Sequence, residues 1–321
     1  MKSKTLGSEG FAGAVVLTIG LALLQYFFAS QRNYSVDFGV CLPSPNNWAL
    51  PELWSWGINY AMIIGSGVAL IFFNKGYSVI QSADMVLPSM FLMLTATNPW
   101  AGGALGSSSL MVMINLFCLA TIFSCYKSFN ATQEVFVVAT MLSVGSMFQY
   151  AFIFLMPAYI VIGLLMQCFR WKECAAFLMG IAAPYWCGIG LGLIPLDQFS
   201  IPNFTTVWEN TASAGDIFTG VLSIGITAVI ASILTLNNSV KLYAGNTQRR
   251  LYNNSIAIIG LVCIAGLAFD FSNLPTYLAT FYMTVAFTIG STFSLYTIRK
   301  PGLWLGIITA IYLIFFLVMI F

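Results

Sequence analysis

The sequence predicts an all-α fold: a polytopic transmembrane helical bundle of about 11 membrane segments, with residues 1–321 forming one integral membrane domain and no soluble domain. Three observations predict this class. Hydrophobic residues make up 59% of the chain and charged residues only 7%, whereas about a quarter of a soluble domain is charged. Uncharged runs of roughly 20 residues recur, long enough to cross a hydrocarbon core as helices. The basic residues gather in alternate connections between these runs, as in multi-pass proteins.

Apolar runs bounded by polar or turn residues predict the individual spans. The first run follows Lys2 and Lys4, and because its apolar core is longer than that of a secretion signal we interpret it as an uncleaved span. The third run is polar in its first half, and the fifth and sixth are tightly joined. Such runs are typical of short or re-entrant helices buried by their neighbours. In order, the candidates are 11–30, 57–74, 77–97, 106–126, 132–148, 149–169, 174–195, 216–236, 255–271, 275–298 and 302–321.

The orientation is predicted from lysine and arginine residues close to the span ends. With a cytoplasmic N-terminus, every basic residue except Arg32 falls on the cytoplasmic side, and Phe321 lies on the outer side. The sequence therefore predicts a multi-pass protein of the bacterial inner membrane. The acids of the outer side are Asp37, Glu52, Asp197, Glu209, Asp216 and Asp270.

The absence of histidine from the chain excludes several classes of chemistry. The usual ligands of haem, the HExxH zinc site and the base of a Ser-His or Cys-His pair all require this residue. The seven cysteines contain no CxxC pair. Six of them lie in or beside spans and are predicted to be small apolar fillers, whereas Cys41, alone in a loop, could pair only with another chain.

The outer loops 31–56 and 196–215 combine acids with aromatic side chains. Acids beside aromatic faces commonly bind sugars, or a divalent metal ion through oxygen ligands. An aromatic belt at the headgroup level explains the same pattern without a ligand. After Pro51 we also expect a short helix lying in the interface, with Glu52 in its first turn, where the helix dipole favours an acid.

Two acids border apolar runs, Asp84 and Asp270. In "SADMVLPS", residues 82–89, Ser82 can cap a helix that carries Asp84 in its first turn, and a functional intramembrane carboxylate is the alternative. An aspartyl intramembrane protease would need both acids, but neither lies in a GxGD context. Asp270 otherwise belongs with the acids of the outer side.

Glycines and prolines interrupt the predicted span at residues 180–195, "GIAAPYWCGIGLGLIP". In a transporter, such a broken helix can hold a substrate with its unwound backbone. Small residues also allow helices to approach closely, and this interpretation is favoured because no second break marks an inverted repeat.

Residues 130–186 read "NATQEVFVVATMLSVGSMFQYAFIFLMPAYIVIGLLMQCFRWKECAAFLMGIAAPYW". A short apolar helix, an aromatic joint, a full span, the basic turn "FRWKE" and a span ending in "APYW" resemble the middle of an uncharacterised family of bacterial polytopic inner-membrane proteins. The segment is also distantly similar to the paired short helices of GT-C-type glycosyltransferases. These membrane enzymes move sugars from polyprenyl-phosphate donors on the outer face.

The resemblance implies that Asp37, in the first outer loop, is the catalytic base or a ligand of a divalent metal ion. It further implies membrane lipids and a polyprenyl-phosphate-linked sugar as partners, and no nucleic acid. The substrate-binding candidates are the outer cation together with acids and aromatic residues of the outer loops: Arg32, Glu52, Trp54, Trp208 and Glu209.

The functional expectation is a GT-C-like protein that handles a lipid-linked sugar or a similar envelope precursor at the outer face. A transporter or flippase built around residues 180–195 is one alternative, and a non-catalytic scaffold of an envelope complex is another. The sequence does not decide whether the protein is an enzyme, nor its oligomeric state.

Overall fold

The computed structural model describes residues 8–28, 39–81, 85–103, 105–194, 199, 216–243, 246–270, 273–296 and 301–320. Within these residues the chain forms α-helices and a 3₁₀ turn at Pro45–Asn47, with no β-strand. The helices are α1 (Ser8–Phe28), α2 (Glu52–Tyr77), α3 (Val86–Ala96), α4 (Pro99–Gly102), α5 (Ser107–Ser124), α6 (Thr132–Phe148), α7 (Ala151–Leu165), α8 (Trp171–Gly190), α9 (Asp216–Tyr243), α10 (Thr247–Phe269), α11 (Leu274–Leu295) and α12 (Pro301–Ile320).

Seven of the described helices are long and apolar enough to cross a membrane, namely α1, α2, α5, α9, α10, α11 and α12. Three further apolar helices, α3, α6 and α7, are shorter, with 11, 17 and 15 residues. The fold is therefore a helical membrane bundle, as predicted. The predicted count of about 11 membrane segments, some of them short or re-entrant, is not confirmed: seven described helices are long enough to cross and three apolar ones are shorter.

The short helix α3 lies at the centre of the bundle, packed among α1, α2 and α11. All of its residues are buried, and at about 1.5 Å per residue it is about 16 Å long, half of a hydrocarbon core. The described backbone at residues 78–81 is not helical, and the Asn74 side chain hydrogen-bonds both the N–H and the C=O of Ile80, at 2.8 and 3.0 Å. Irregular backbone can lie at membrane depth where protein covers it.

The start of α3 differs from the predicted helix start. The helix begins at Val86 with Met85 in the N-cap position, whereas the sequence predicted a start at Ser82, which lies outside the described residues. Asp84 lies outside the described residues. Pro88 falls in the first turn, where the backbone N–H that proline lacks would have no intrahelical partner.

Two predicted boundaries change because helices continue beyond their apolar runs. The expected interface helix after Pro51 and the expected span 57–74 are one continuous helix, α2, since no proline separates them. Residues 237–254, which connect the predicted spans 216–236 and 255–271, are mostly helical, because α9 runs to Tyr243 and α10 begins at Thr247. Hydropathy marked where the apolar surface ends, whereas the backbone hydrogen bonds of these helices extend further.

Helix α8 is continuous from Trp171 to Gly190, so the predicted interruption lies at its end and not within the span. Gly180 packs closely on α6: a Cβ atom there would lie 2.6 Å from the Phe136 carbonyl oxygen and 2.7 Å from the Ala139 Cβ. The chain then turns at Gly192, whose φ of +69° favours glycine. The helix-packing interpretation of this segment is therefore confirmed at Gly180.

The described basic residues gather at one end of the bundle, which we call the basic end. There the Lys127 N–H donates to the Met166 carbonyl at 3.1 Å, and the Tyr252 ring stacks on Phe123 with 4.1 Å between centroids. The residues are Lys75, Lys127, Arg170, Lys172, Lys241, Arg249 and Arg250. The helix termini away from the basic end form what we call the opposite end. It contains the starts of α2, α5, α7 and α11 and the ends of α1, α3, α6 and α10.

Candidate functional site

Most of the site residues predicted from the sequence lie outside the described residues: Asp37, Arg32, Trp208 and Glu209. Glu52 and Trp54 are described, both in the first turn of α2, and both are exposed, Trp54 by 67%. An exposed tryptophan at a helix end fits the predicted aromatic belt. Among the described residues no cluster of His, Cys, Asp or Glu side chains could hold a metal ion, and the acids Asp37, Asp197 and Glu209 fall outside that part of the chain.

The opposite end instead contains a buried carboxylate that accepts several hydrogen bonds, that of Asp270. The Tyr150 hydroxyl donates to Asp270 Oδ1 at 2.7 Å, and the Tyr277 hydroxyl donates to Oδ2 at 3.0 Å. The Asn273 amide nitrogen lies 3.0 and 3.2 Å from the two oxygens, and it also contacts the Tyr150 hydroxyl. Asp270 is 1% exposed, so these neutral donors replace the water that a buried carboxylate requires.

Local sequence explains how these side chains meet. Asp270 ends α10, and its N–H donates to the Gly266 carbonyl at 2.9 Å. Gly266 leaves room for the Tyr277 ring, since a Cβ atom there would lie 2.6 Å from Tyr277 Cε1. Asn273 and Tyr277 are four residues apart at the start of α11 and therefore share a helix face. Tyr150 comes from the joint between α6 and α7.

The carboxylate is connected to further polar groups through Asn273. Its amide nitrogen donates to Asp270, so its amide oxygen is the acceptor for Gln149 Nε2 at 2.8 Å. The same Gln149 nitrogen lies 3.4 Å from Thr276 Oγ1, and the Thr276 and Ser107 hydroxyls share a hydrogen bond of 2.8 Å. This hydrogen bond uses one of the two hydroxyl hydrogens, so the second hydroxyl hydrogen can be donated to another acceptor.

Ser107 and Thr276 line a small cavity of about 30 Å³ between α2, the α4–α5 connection and the start of α11. Since a water-sized group needs at least about 10–15 Å³, the cavity has room for one or two such groups. Two buried polar atoms of its lining have no protein partner, Asn59 Oδ1 and Ser108 Oγ. The Asn59 amide nitrogen donates to the Gly103 carbonyl at 3.0 Å, which fixes its oxygen as the unpartnered acceptor.

The cavity lining is neutral. The described lining residues contribute amide, hydroxyl, backbone and aromatic groups, and none of them is charged; they are Asn46, Asn59, Trp100, Ala101, Gly103, Gly106, Ser107, Ser108, Pro275 and Thr276. Asn59 Oδ1 can accept a hydrogen bond, the Ser107 and Thr276 pair can donate one, and the Ser108 hydroxyl can do both. The arrangement therefore suits a neutral group that both donates and accepts, such as a hydroxyl.

The sequence placed Asp270 among the acids of the outer side, and as one of the two acids that an aspartyl protease would need, but did not identify its partners. A usable signal was present in "DFSNLPTY", residues 270–277, where an acid, an amide and a tyrosine follow one another at a span boundary. The second half of the network, the "QY" pair at residues 149–150, could not be linked to it from spacing. These two segments are 120 residues apart in the chain and meet only in the folded bundle.

The fold and this site define the chain as an α-helical multi-pass membrane protein with a buried polar cluster at one end of the bundle. Comparison with known proteins gives no closer assignment, because the chain matches no family model, no curated protein and no solved structure.

Proposed function

We propose that the protein binds a hydroxyl-rich headgroup of a membrane-anchored molecule, of the lipid-linked sugar class, at the opposite end of the bundle. The observation that carries the proposal is the neutral cavity with its unpartnered Asn59 Oδ1 and Ser108 Oγ. Leaving a buried polar atom without a partner costs about 1–3 kcal/mol, so a ligand hydroxyl that satisfies both atoms gains affinity and specificity. The opposite end would then face outward, with the basic end in the cytoplasm.

The lining of the cavity favours a sugar over a phosphate. A bound phosphate needs a cation or metal ion to neutralise it, and none of the described residues that line the cavity is charged. Trp100 adds an aromatic surface, and sugars combine apolar faces with hydroxyl edges. We therefore assign the cavity to a hydroxyl or hydroxymethyl group of the headgroup, while the phosphate of a polyprenyl-linked donor would lie elsewhere.

Asp270 has a positioning role in this proposal. Each of its carboxylate oxygens already accepts two hydrogen bonds from the described residues, so the charge orients Asn273 and, through it, Gln149. A saturated carboxylate is a poor general base, which must offer a lone pair to the substrate. The acid that would act in a GT-C-like transfer therefore remains Asp37, as the resemblance implies.

The proposal is tested by comparing the membrane lipids and surface glycans of cells that lack the gene with those of cells complemented by variants. We expect the deletion to change the pool of hydroxyl-bearing lipids, and we expect Ser108→Ala and Asn59→Leu to fail to restore it. The matched control is Ser66→Ala: this serine is also buried, but its hydroxyl donates to the Met62 carbonyl of its own helix at 2.8 Å. This control should restore the pool fully.

Two outcomes would contradict the proposal. An unchanged lipid and glycan profile in the deletion cells would rule out a lipid-linked sugar as the ligand. Full restoration by the Asn59→Leu, Ser108→Ala double variant would rule out the cavity as its binding site. If an Asp37→Asn variant restores the profile, Asp37 is not a catalytic residue, but the proposed binding at the cavity is not contradicted. Of the two alternatives to this proposal, the transporter loses its expected midspan break, because α8 is continuous through Pro184.

A further inference from the structure

A second cavity lies apart from the polar site, among apolar helix surfaces. It is a groove of about 500 Å³ between α9, α11 and α12, a size typical of ligand pockets. Its lining is mostly apolar. The Thr227 hydroxyl donates to the Ser223 carbonyl at 2.7 Å and lies 2.6 Å from the Tyr312 hydroxyl, so these two hydroxyls of the wall have partners within the protein.

The length of the groove matches one leaflet of a bilayer. Along α9 it extends from Ile226 to Asn237, and along α12 from Trp304 to Phe315. Each pair is eleven residues apart, which at about 1.5 Å per residue gives about 16 Å, close to half of a hydrocarbon core of about 30 Å. Asn237 and Trp304 lie towards the basic end, so the groove follows the leaflet on that side.

A cation lies at the basic end of the groove. Lys241 is one turn beyond Asn237 on α9, and its ammonium lies 3.3 Å from the centroid of the Tyr296 ring, which itself lines the groove. The Lys241 side chain is exposed. The ring thus holds a positive charge at the point where a lipid headgroup would lie if its chain occupied the groove.

We propose that this groove binds one acyl chain of an anionic phospholipid from the leaflet at the basic end, with the headgroup phosphate paired to Lys241. Basic groups between membrane helices on the cytoplasmic side are a recurrent way to hold phosphate headgroups. The site lies at the other end of the bundle from the polar cavity and does not depend on the function proposed there. It would attach α12 to the bundle through a lipid as well as through its contacts with α9 and α4.

The test is native mass spectrometry of the purified full chain with phosphatidylglycerol or phosphatidylcholine of identical acyl chains. One anionic lipid should remain bound, with retention about fivefold above the neutral lipid, because a basic residue near the headgroups contributes about that factor. Lys241→Gln should abolish the preference. Lys172→Gln, which removes another exposed lysine of the basic end, should leave it unchanged.

A second pair of variants tests the groove independently of the charge. Ile311→Trp fills the groove and should lower retention of both lipids, whereas Ile314→Trp, an exposed position of the same helix outside the lining, should not. Equal retention of the two lipids by the wild-type protein would overturn the proposal. So would an unchanged preference in Lys241→Gln, full retention in Ile311→Trp, or displacement of the lipid by millimolar inorganic phosphate alone. If Lys241→Gln does not fold, raising the ionic strength of the wild-type sample replaces it and should lower the preference.

Discussion

Asp270, whose carboxylate is buried, is the central residue of the polar network at the opposite end of the bundle. It ties together the joint between α6 and α7, the end of α10 and the start of α11 through Tyr150, Asn273 and Tyr277. Hydrogen bonds to a charged group contribute about 1.5–3 kcal/mol each, more than those between neutral groups. The same residue therefore stabilises the fold and orients the groups beside the cavity.

The first prediction concerns this carboxylate. Asp270→Asn keeps the shape of the side chain but turns one acceptor into a donor that faces other donors, so we expect a loss of about 1.5–3 kcal/mol of unfolding free energy. Thermal unfolding of the purified protein in detergent measures it. Glu52→Gln, at an exposed acid, should change the stability by no more than about 0.5 kcal/mol. An Asp270→Asn protein as stable as the wild type would contradict a structural role for the network.

The second prediction concerns Cys41, which the sequence predicted to be able to form a disulfide only with another chain. In the structure it is 4% exposed and packs with Met147 and Ile194, so a partner chain cannot reach it without local opening. Burial raises the pKa of the Cys41 thiol. Because the thiolate is the reactive form, a raised pKa lowers the thiolate fraction at neutral pH.

Maleimide labelling tests this in a Cys174→Ser, Cys187→Ser background, which removes the two cysteines that are not buried. Cys41 should label more slowly at pH 7 than a cysteine introduced by Glu52→Cys, and its rate should still rise as the pH is increased above neutrality. Labelling of Cys41 at the rate of the exposed cysteine would show that the loop does not protect it.

At the scale of elements, Gly180 allows α8 to approach α6 closely. A Cβ atom at Gly180 would lie against the backbone of Phe136, whereas one at Gly190, at the end of α8, would meet no atom within 4 Å beyond its own stretch of helix. The two glycines belong to the same helix, but only one of them lies at a helix crossing. A glycine at a close contact between two helices is what the packing interpretation of residues 180–195 requires, whereas the broken-helix interpretation requires an interruption of α8.

The third prediction follows from this difference. Gly180→Ala should destabilise the protein by about 1–3 kcal/mol, because the new methyl group forces the two helices apart. Gly190→Ala should leave the stability within about 0.5 kcal/mol of the wild type. Thermal unfolding of the two variants side by side checks it, and equal effects would show that the close approach at Gly180 does not hold the helices together.

At the scale of the whole molecule, the two ends differ in charge and in polarity. Basic residues cluster at one end, and the buried Asp270 network lies at the other. Lysine and arginine near span ends favour the cytoplasmic side. This asymmetry predicts which end is accessible from outside the cell.

The fourth prediction is therefore one of orientation. In the Cys174→Ser, Cys187→Ser background, a membrane-impermeant maleimide should label Glu52→Cys in intact cells, since this position lies at the opposite end. It should label Lys172→Cys, at the basic end, only after the membrane is permeabilised. Both positions are exposed, so access to the compartment decides the result. The reverse pattern would place the polar cavity in the cytoplasm and contradict the proposed outward-facing site.

The sequence by itself determined the class of the protein. The apolar runs, the scarcity of charge and the alternation of basic residues predicted a helical membrane bundle, because crossing a bilayer imposes these requirements on any such chain. It also predicted that the third run and the pair between residues 132 and 169 form short helices, as α3, α6 and α7 do. Helix ends were predicted less well, since α9 and α10 continue through polar residues that hydropathy assigned to a loop.

Only the tertiary structure decided where the polar groups meet. Asp270 and Tyr150 come from distant parts of the chain, as do Asn59 and Ser108, and no local pattern encodes which of them share a cavity. Local periodicity specifies which side of a helix is apolar, whereas the partner of each polar residue is fixed by how the helices pack. Water is scarce within the bilayer, so that packing determines whether a buried polar atom is satisfied or left to bind a ligand.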